Sequence, residues 1–157
     1  MNIIKGNIID LAEQGKINYL IHGCNCFNTM GAGLAKEIKN RYPEAYFKDL
    51  LTKKGNLDKL GKYTFANVLC KKTNNQFTII NAYTQYNYGK SKNNELLVDY
   101  KAIKSILIDI DKKVTGTIGL PFIGCGLAGG DWSVISKIIT ESIIKNEFII
   151  VSLNGNI

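Results

Sequence analysis

His22, Cys24 and Cys26 alternate along "IHGCNCFNTMGAGLAKEIKNRY" (residues 21–42), and Cys125 and Asp131 punctuate "GCGLAGGDW" (residues 124–132). Imidazole, thiol and carboxylate side chains at such spacing raise three chemistries: metal ligation, nucleophilic attack and acid–base catalysis. An H-x-C-x-C run along an extended segment lacks the second ligand pair of a zinc site, so no metal is expected. Cys125 has no basic neighbour in sequence to lower its pKa, and a Cys within glycines is also a compact packing residue. His22 is the single histidine, which limits any classical triad. It remains a candidate for moving a proton. Asp131 stands where a helix should begin. It suits an N-cap and, equally, a general base toward water.

Both stretches are rich in glycine and run directly into a helical pattern. Glycine lets the backbone approach a ligand closely, and the free N–H groups of a helix start favour an anion. Neither stretch is a G-x-G-x-x-G or G-x-x-x-x-G-K-[ST] fingerprint. Two such loops on one crevice suit a diphosphate between two sugars.

The elements that would position these loops alternate along the chain. Met1–Lys5, Ile17–His22, Lys62–Cys70, Phe77–Tyr83, Thr115–Ile123 and Glu147–Leu153 read as strands from their apolar, β-branched content. Leu34–Tyr42, Glu44–Leu51 behind Pro43, Glu95–Ile110 and Trp132–Ile144 read as helices. Residues 84–94, "TQYNYGKSKNN", read as a surface loop of functional length. This order predicts an α/β sandwich on a mostly parallel sheet, with ligands at the carboxyl ends of the strands.

A chain of 157 residues, 45% hydrophobic and 21% charged, suits one domain spanning 1–157. No segment approaches a membrane span of roughly 20 apolar residues, and no secretory signal is seen at the start. Cys24, Cys26, Cys70 and Cys125 form no even disulfide framework, so free thiols in a reducing, cytoplasmic setting are expected. The net charge of +7 is carried almost wholly by lysine, with Arg41 the one arginine. It reads as a solvated surface that helps to collect negative ligands. Nucleic-acid binding through that charge is the weaker reading, because "YTQYNY" holds no basic residue.

Taken together and in order, "GNI" after the first strand, "HGCNCFNTMGAGLAKEIKNRYP", "INAYTQYNYG" and "LPFIGCGLAGGDW" resemble the macrodomain family. The resemblance runs from Met1 to Leu153. It is greatest to the branch that holds terminal ADP-ribose glycohydrolases, DarG antitoxin macrodomains and ADP-ribose-1″-phosphate phosphatases. It implies a three-layer α/β/α sandwich around a mixed, mostly parallel sheet, with ADP-ribose or a derivative as ligand and no cofactor. On this resemblance Asn7 and Ile8 meet the adenine, Asn7 standing where the family has an Asp. Asn25 and Asn28 meet ribose hydroxyls. Gly31, Ala32, Gly33 and Leu34 bring main-chain N–H groups to phosphate and ribose, and Gly124, Cys125, Gly126, Leu127 and Ala128 wrap the diphosphate. Glycohydrolase and DarG-like relatives carry a lysine where this chain has Gln85, and a neutral amide forms no Schiff base and is no cationic acid. Asp131, His22 and Gln85 are then the groups left to handle water and proton. Two functions follow. One is a hydrolase acting at the C1″ end of an ADP-ribose derivative, including ADP-ribosylated protein or nucleic acid. The other is a module that binds ADP-ribose and releases it unchanged.

Overall fold

Alternate residues of the central strands enter opposite hydrophobic cores, as the two-residue period of a strand requires. In the computed structural model, which describes residues 1–90, 93 and 95–156, Leu20 and Ile79 pack into one core, and Ile21 and Ile80 pack into the other. Among the described residues the elements run β1 (Ile3–Lys5), α1 (Ile8–Glu13), β2 (Tyr19–Cys24), α2 (Gly33–Arg41), α3 (Pro43–Leu50), β3 (Tyr63–Leu69), β4 (Gln76–Tyr83), α4 (Tyr100–Lys113), β5 (Thr117–Leu120), α5 (Trp132–Ser142) and β6 (Glu147–Ser152). A single 3₁₀ turn, Leu57–Lys59, lies between α3 and β3. The sheet order is β1-β6-β5-β2-β4-β3. Every pairing is parallel except β3 with β4. Apolar residues of α1, α2 and α3 cover one face, and those of α4 and α5 cover the other. This is the α/β/α sandwich with a mixed, mostly parallel sheet that the sequence implies.

Several boundaries differ from the sequence reading, each for a local reason. Residues 8–13 carry no assignment from the sequence, yet they form α1. A six-residue helix is too short to show periodicity, and its start is fixed by the Asn7 side chain, which accepts from the Ile9 and Asp10 amides. β2 continues through Gly23 and Cys24 because these pair in register with Ala82 and Tyr83. β5 stops at Leu120, ahead of Pro121. Helix α4 begins at Tyr100 rather than Glu95. The amides of Leu97 and Val98 both donate to the Ala128 carbonyl at 3.0 and 3.3 Å, Val98 bridges to Gln85, and Asp99 caps the helix by accepting from the Ala102 amide. Within the loop expected over 84–94, residues Ser91, Lys92 and Asn94 lie outside those described. No helix among the described residues is long and apolar enough to cross a membrane.

Candidate functional site

The carboxyl ends of β1, β2, β4, β5 and β6 open onto one continuous cleft, as expected for a parallel α/β sheet. It has three parts. The largest, about 510 Å³, is walled by Ile8, Leu34, Pro121, Phe122, Val151 and Leu153, with Asn7 and Glu37 among its polar groups. A middle part of about 220 Å³ lies between Ala32, Leu34, Gly124, Gly126 and the floor residue His22. The third part, about 380 Å³, is lined by Asn25, Thr29, Gly31, Gln85, Tyr88 and Leu127. Leu34, Phe122 and Gly126 border both the first and the middle part, and Ala32 and Gln85 border both the middle and the third.

Two helices start beside the middle part. Helix α2 begins on Ala32, which is extended (φ −146°) and makes no side-chain cap. Its first intrahelical donor is the Lys36 amide, to the Ala32 carbonyl at 3.3 Å. The amides of Gly33, Leu34 and Ala35 precede that bond and are the uncompensated donors of the helix start. Helix α5 begins on Asp131, whose Oδ1 accepts from the Ser133 amide at 2.8 Å and the Ser133 hydroxyl at 2.7 Å. The loop before it folds on itself, with the Gly130 amide donating to the Gly124 carbonyl at 2.8 Å. A Cβ at Gly130 would stand 2.5 Å from that same oxygen, so this close approach requires glycine.

The floor of the cleft is a buried polar network. Asn81 Nδ2 donates to the Ala45 carbonyl and to Thr64 Oγ1, so its Oδ1 is the acceptor for His22 Nε2–H at 2.7 Å. That places the imidazole proton on Nε2 and leaves Nδ1 an acceptor, with the Cys24 thiol 3.7 Å away. Burial pushes the His22 pKa down to about 4, against the smaller opposing effect of the Asn81 bond. The ring is therefore neutral at physiological pH. Thr64 continues the network to the Tyr83 hydroxyl, which donates to Asp49 at 2.8 Å. The buried Lys59 ammonium donates to the Cys26 carbonyl and to Asn28 Oδ1, tying the 25–30 loop to this floor.

A model of the macro domain family matches residues 21–139. The chain belongs to the macro domain family. A macro domain of this size is 32% identical over 154 residues to an uncharacterised 17.5 kDa protein of Enterobacteria phage T4, covering 94% of this chain and 93% of that one. A shorter likeness, 42% over 43 residues, covers 27% of this chain and 20% of an ADP-ribose 1″-phosphate phosphatase of Aspergillus oryzae. Among solved structures, Thermosipho africanus DarTG in complex with ADP-ribose superposes with a TM-score of 0.71 at 20% identity, covering 99% of this chain and 42% of that chain.

The fold brings many of the expected residues of the macro domain to the cleft and turns others away. Asn7, Ile8, Asn25, Gly31, Ala32, Gly33, Leu34, Gly124, Cys125, Gly126, Leu127 and Ala128 all line it, as do His22 and Gln85. The amide of Asn7 is already engaged: Oδ1 holds two helix amides, and Nδ2 donates to Glu37 at 2.8 Å. Asn25 is bound to its own loop, donating to Thr29 and accepting from the Phe27 amide. Asn28 lines none of the three parts. It sits at φ 58° with its side chain bonded to the Thr52 carbonyl and to Lys59, so it braces the loop from behind. Cys125 is a neutral thiol, pushed up to about 11 by burial and by the charge of Asp131. Asp131 also stays off the cleft. Hydrogen bonds from the Ser133 hydroxyl and amide hold its carboxyl below the usual range, and the backbone amide of Asp131 donates to the Tyr100 hydroxyl at 3.0 Å. Gln85 donates through Nε2 to the Asn87 carbonyl at 2.8 Å.

Sequence reasoning missed Glu37, Phe122 and Tyr88. The first two had a signal: Glu37 lies one turn along the helix from Leu34, and Phe122 lies two residues before the second glycine loop. Tyr88 rests edge-on against Phe27 at a centroid distance of 5.8 Å, a contact that no local pattern announces. Among the described residues, no group of three or more His, Cys, Asp or Glu side chains is arranged to hold a metal ion.

Proposed function

We propose that this macro domain binds ADP-ribose in an extended form along the three-part cleft. The observation that carries this is the uncapped start of α2 on the middle part, flanked by an apolar cavity on one side and a polar one on the other. The adenine sits between Leu34 and Phe122. The diphosphate meets the amides that open α2 and the Gly126 backbone, where N–H groups and the helix dipole favour negative charge. The distal ribose faces Asn25, Thr29 and Gln85. An acceptor attached at C1″, whether peptide or nucleic acid, leaves past the exposed Tyr88 and Leu127. Four free thiols suit a reducing compartment such as the cytoplasm.

The likeness to an ADP-ribose 1″-phosphate phosphatase favours a second reading, hydrolysis at the C1″ end. In it, Gln85 orients a water whose oxygen bonds to phosphorus while the P–O1″ bond breaks. The proton that the attacking water gives up passes to the leaving O1″, and loop N–H groups stabilise the charge that develops. His22 lines the middle part of the cleft, and its low pKa makes it a weak base. Asp131 is assigned no part in the step, because it lies off the cleft.

One experiment separates the readings. Purified protein is titrated with ADP-ribose by calorimetry and incubated with ADP-ribose-1″-phosphate while phosphate release is followed. Tight binding without release supports the binding module, and catalytic release supports the hydrolase. Absence of both rejects the ADP-ribose assignment.

A further inference from the structure

The apolar cavity has one anionic group on its wall, and it is not where the sequence directs attention. Asn7 stands at the mouth of this cavity, but its Oδ1 accepts from the Ile9 and Asp10 amides at 2.9 and 3.1 Å. Two donors fill the two lone pairs of an amide oxygen. The Nδ2 group of Asn7 points at Glu37 Oε1, 2.8 Å away, and the same oxygen accepts from Arg41 at 3.2 Å. Glu37 Oε2 has no partner among the described residues, and the Glu37 side chain is 38% exposed on the cavity wall. Two donors thus fix one oxygen of Glu37 and leave the other without a protein donor, on the wall of the cavity that Leu34 and Phe122 also line.

We infer that Glu37 selects the base: Oε2 accepts a hydrogen bond from an exocyclic amine on the ring held in this cavity. The inference rests on the ADP-ribose reading of the cleft and names the residue that makes it specific for a 6-aminopurine. A carboxylate acceptor makes a stronger bond than a neutral amide, so the charge lies on the second helix rather than at the Asn7 position. Arg41 holds Glu37 in place while it also bonds Asp10 and Glu13 of the first helix, so the carboxylate is braced by its neighbours before any base arrives.

The test compares ADP-ribose with its analogue carrying hydrogen in place of the 6-amino group, each titrated into wild-type protein, Glu37→Gln and Glu37→Met. The wild type is expected to prefer ADP-ribose by about 10-fold or more. In Glu37→Gln, Asn7 and Arg41 hold the amide oxygen, so the amide NH₂ replaces Oε2 and sets a donor against a donor. The preference should fall to about one or invert, while affinity for the analogue changes little. Glu37→Met removes both oxygens and should also abolish the preference. A wild-type ratio near one overturns the inference, as does a wild-type ratio retained in either variant. Failure of the wild type to bind either nucleotide overturns the ADP-ribose reading together with this inference. Equal binding of both overturns the inference alone. Melting curves check each variant's fold, and the two variants are read independently.

Discussion

Both glycine loops leave the carboxyl end of a strand and feed a helix, yet they finish that task in opposite ways. The first ends on Ala32, and nothing in its side chain can accept from the amides that open α2. The second ends on Asp131, which satisfies the start of α5 with its own carboxylate. A helix start that is already capped has little left to offer an anion, whereas an uncapped one holds its N–H groups and its dipole available. On the proposed reading the difference divides the labour of the cleft: the first loop supplies the field for the diphosphate, and the second supplies a shaped wall.

The largest expected effect comes from filling that wall. A Cβ at Gly126 meets nothing within 4 Å, and Gly126 borders two parts of the cleft. Gly126→Glu should therefore fold normally and lose ADP-ribose affinity by about 100-fold or more, through bulk and like charge. Calorimetry on a variant with a wild-type melting curve checks this, and undiminished affinity would remove the second loop from the site.

A pH profile tests the floor beneath the first loop. The His22 pKa is lowered to about 4 in the fold against 6.5 in its ordinary state. Between those values the unfolded chain binds a proton that the folded chain does not. Stability should thus be full above about pH 6.5 and decline as pH falls to about 4, by about 3 kcal/mol from this group. Urea unfolding from pH 7 to pH 4 measures the decline, and His22→Gln should flatten it. A wild-type slope that survives in the variant would assign the acid sensitivity elsewhere.

Exchanging the loops' endings sharpens the comparison further. Ala32→Asp gives α2 the cap that α5 has, at a residue already in the extended conformation a cap needs. Stability should rise by about 1 kcal/mol, while ADP-ribose affinity falls about 10-fold as the new carboxylate takes the amides and repels the diphosphate. Opposite movement of melting temperature and affinity is the signature. A stabilised variant with unchanged affinity would mean that the diphosphate does not meet this helix. The smallest effect is expected at Asp131→Asn. Asn caps about as well as Asp, and Asp131 lies off the cleft, so melting temperature, ADP-ribose affinity and any phosphate release should stay close to wild type. A large loss of turnover alone would restore a catalytic role to Asp131.

Particular residues show where reading the chain succeeds. The Leu20 and Ile21 pair, and Ile79 and Ile80 opposite them on the neighbouring strand, are apolar on both faces, which is how a central parallel strand announces itself. The glycine loops were visible because small residues before a helical pattern have few other uses. Asn28 and Asp131 show where it stops. Both carry the right side chain beside the right motif, yet Asn28 faces Thr52 and Lys59 while Asp131 faces Ser133. Direction is set by partners 24 and 31 positions away in the first case and by the cap geometry in the second.

By itself the sequence determined the layered architecture, the two loops and the residue types that line the cleft, because periodicity and small-residue loops are local properties of the chain. The tertiary structure decided which of those residues face the cleft. Lys59 reached across to seize Asn28, Asn81 fixed the tautomer of His22, and Arg41 and Asn7 together held one oxygen of Glu37. Each of these outcomes depends on hydrogen-bond partners from distant elements competing for the same polar group, and only the assembled sheet and its helices bring those partners together.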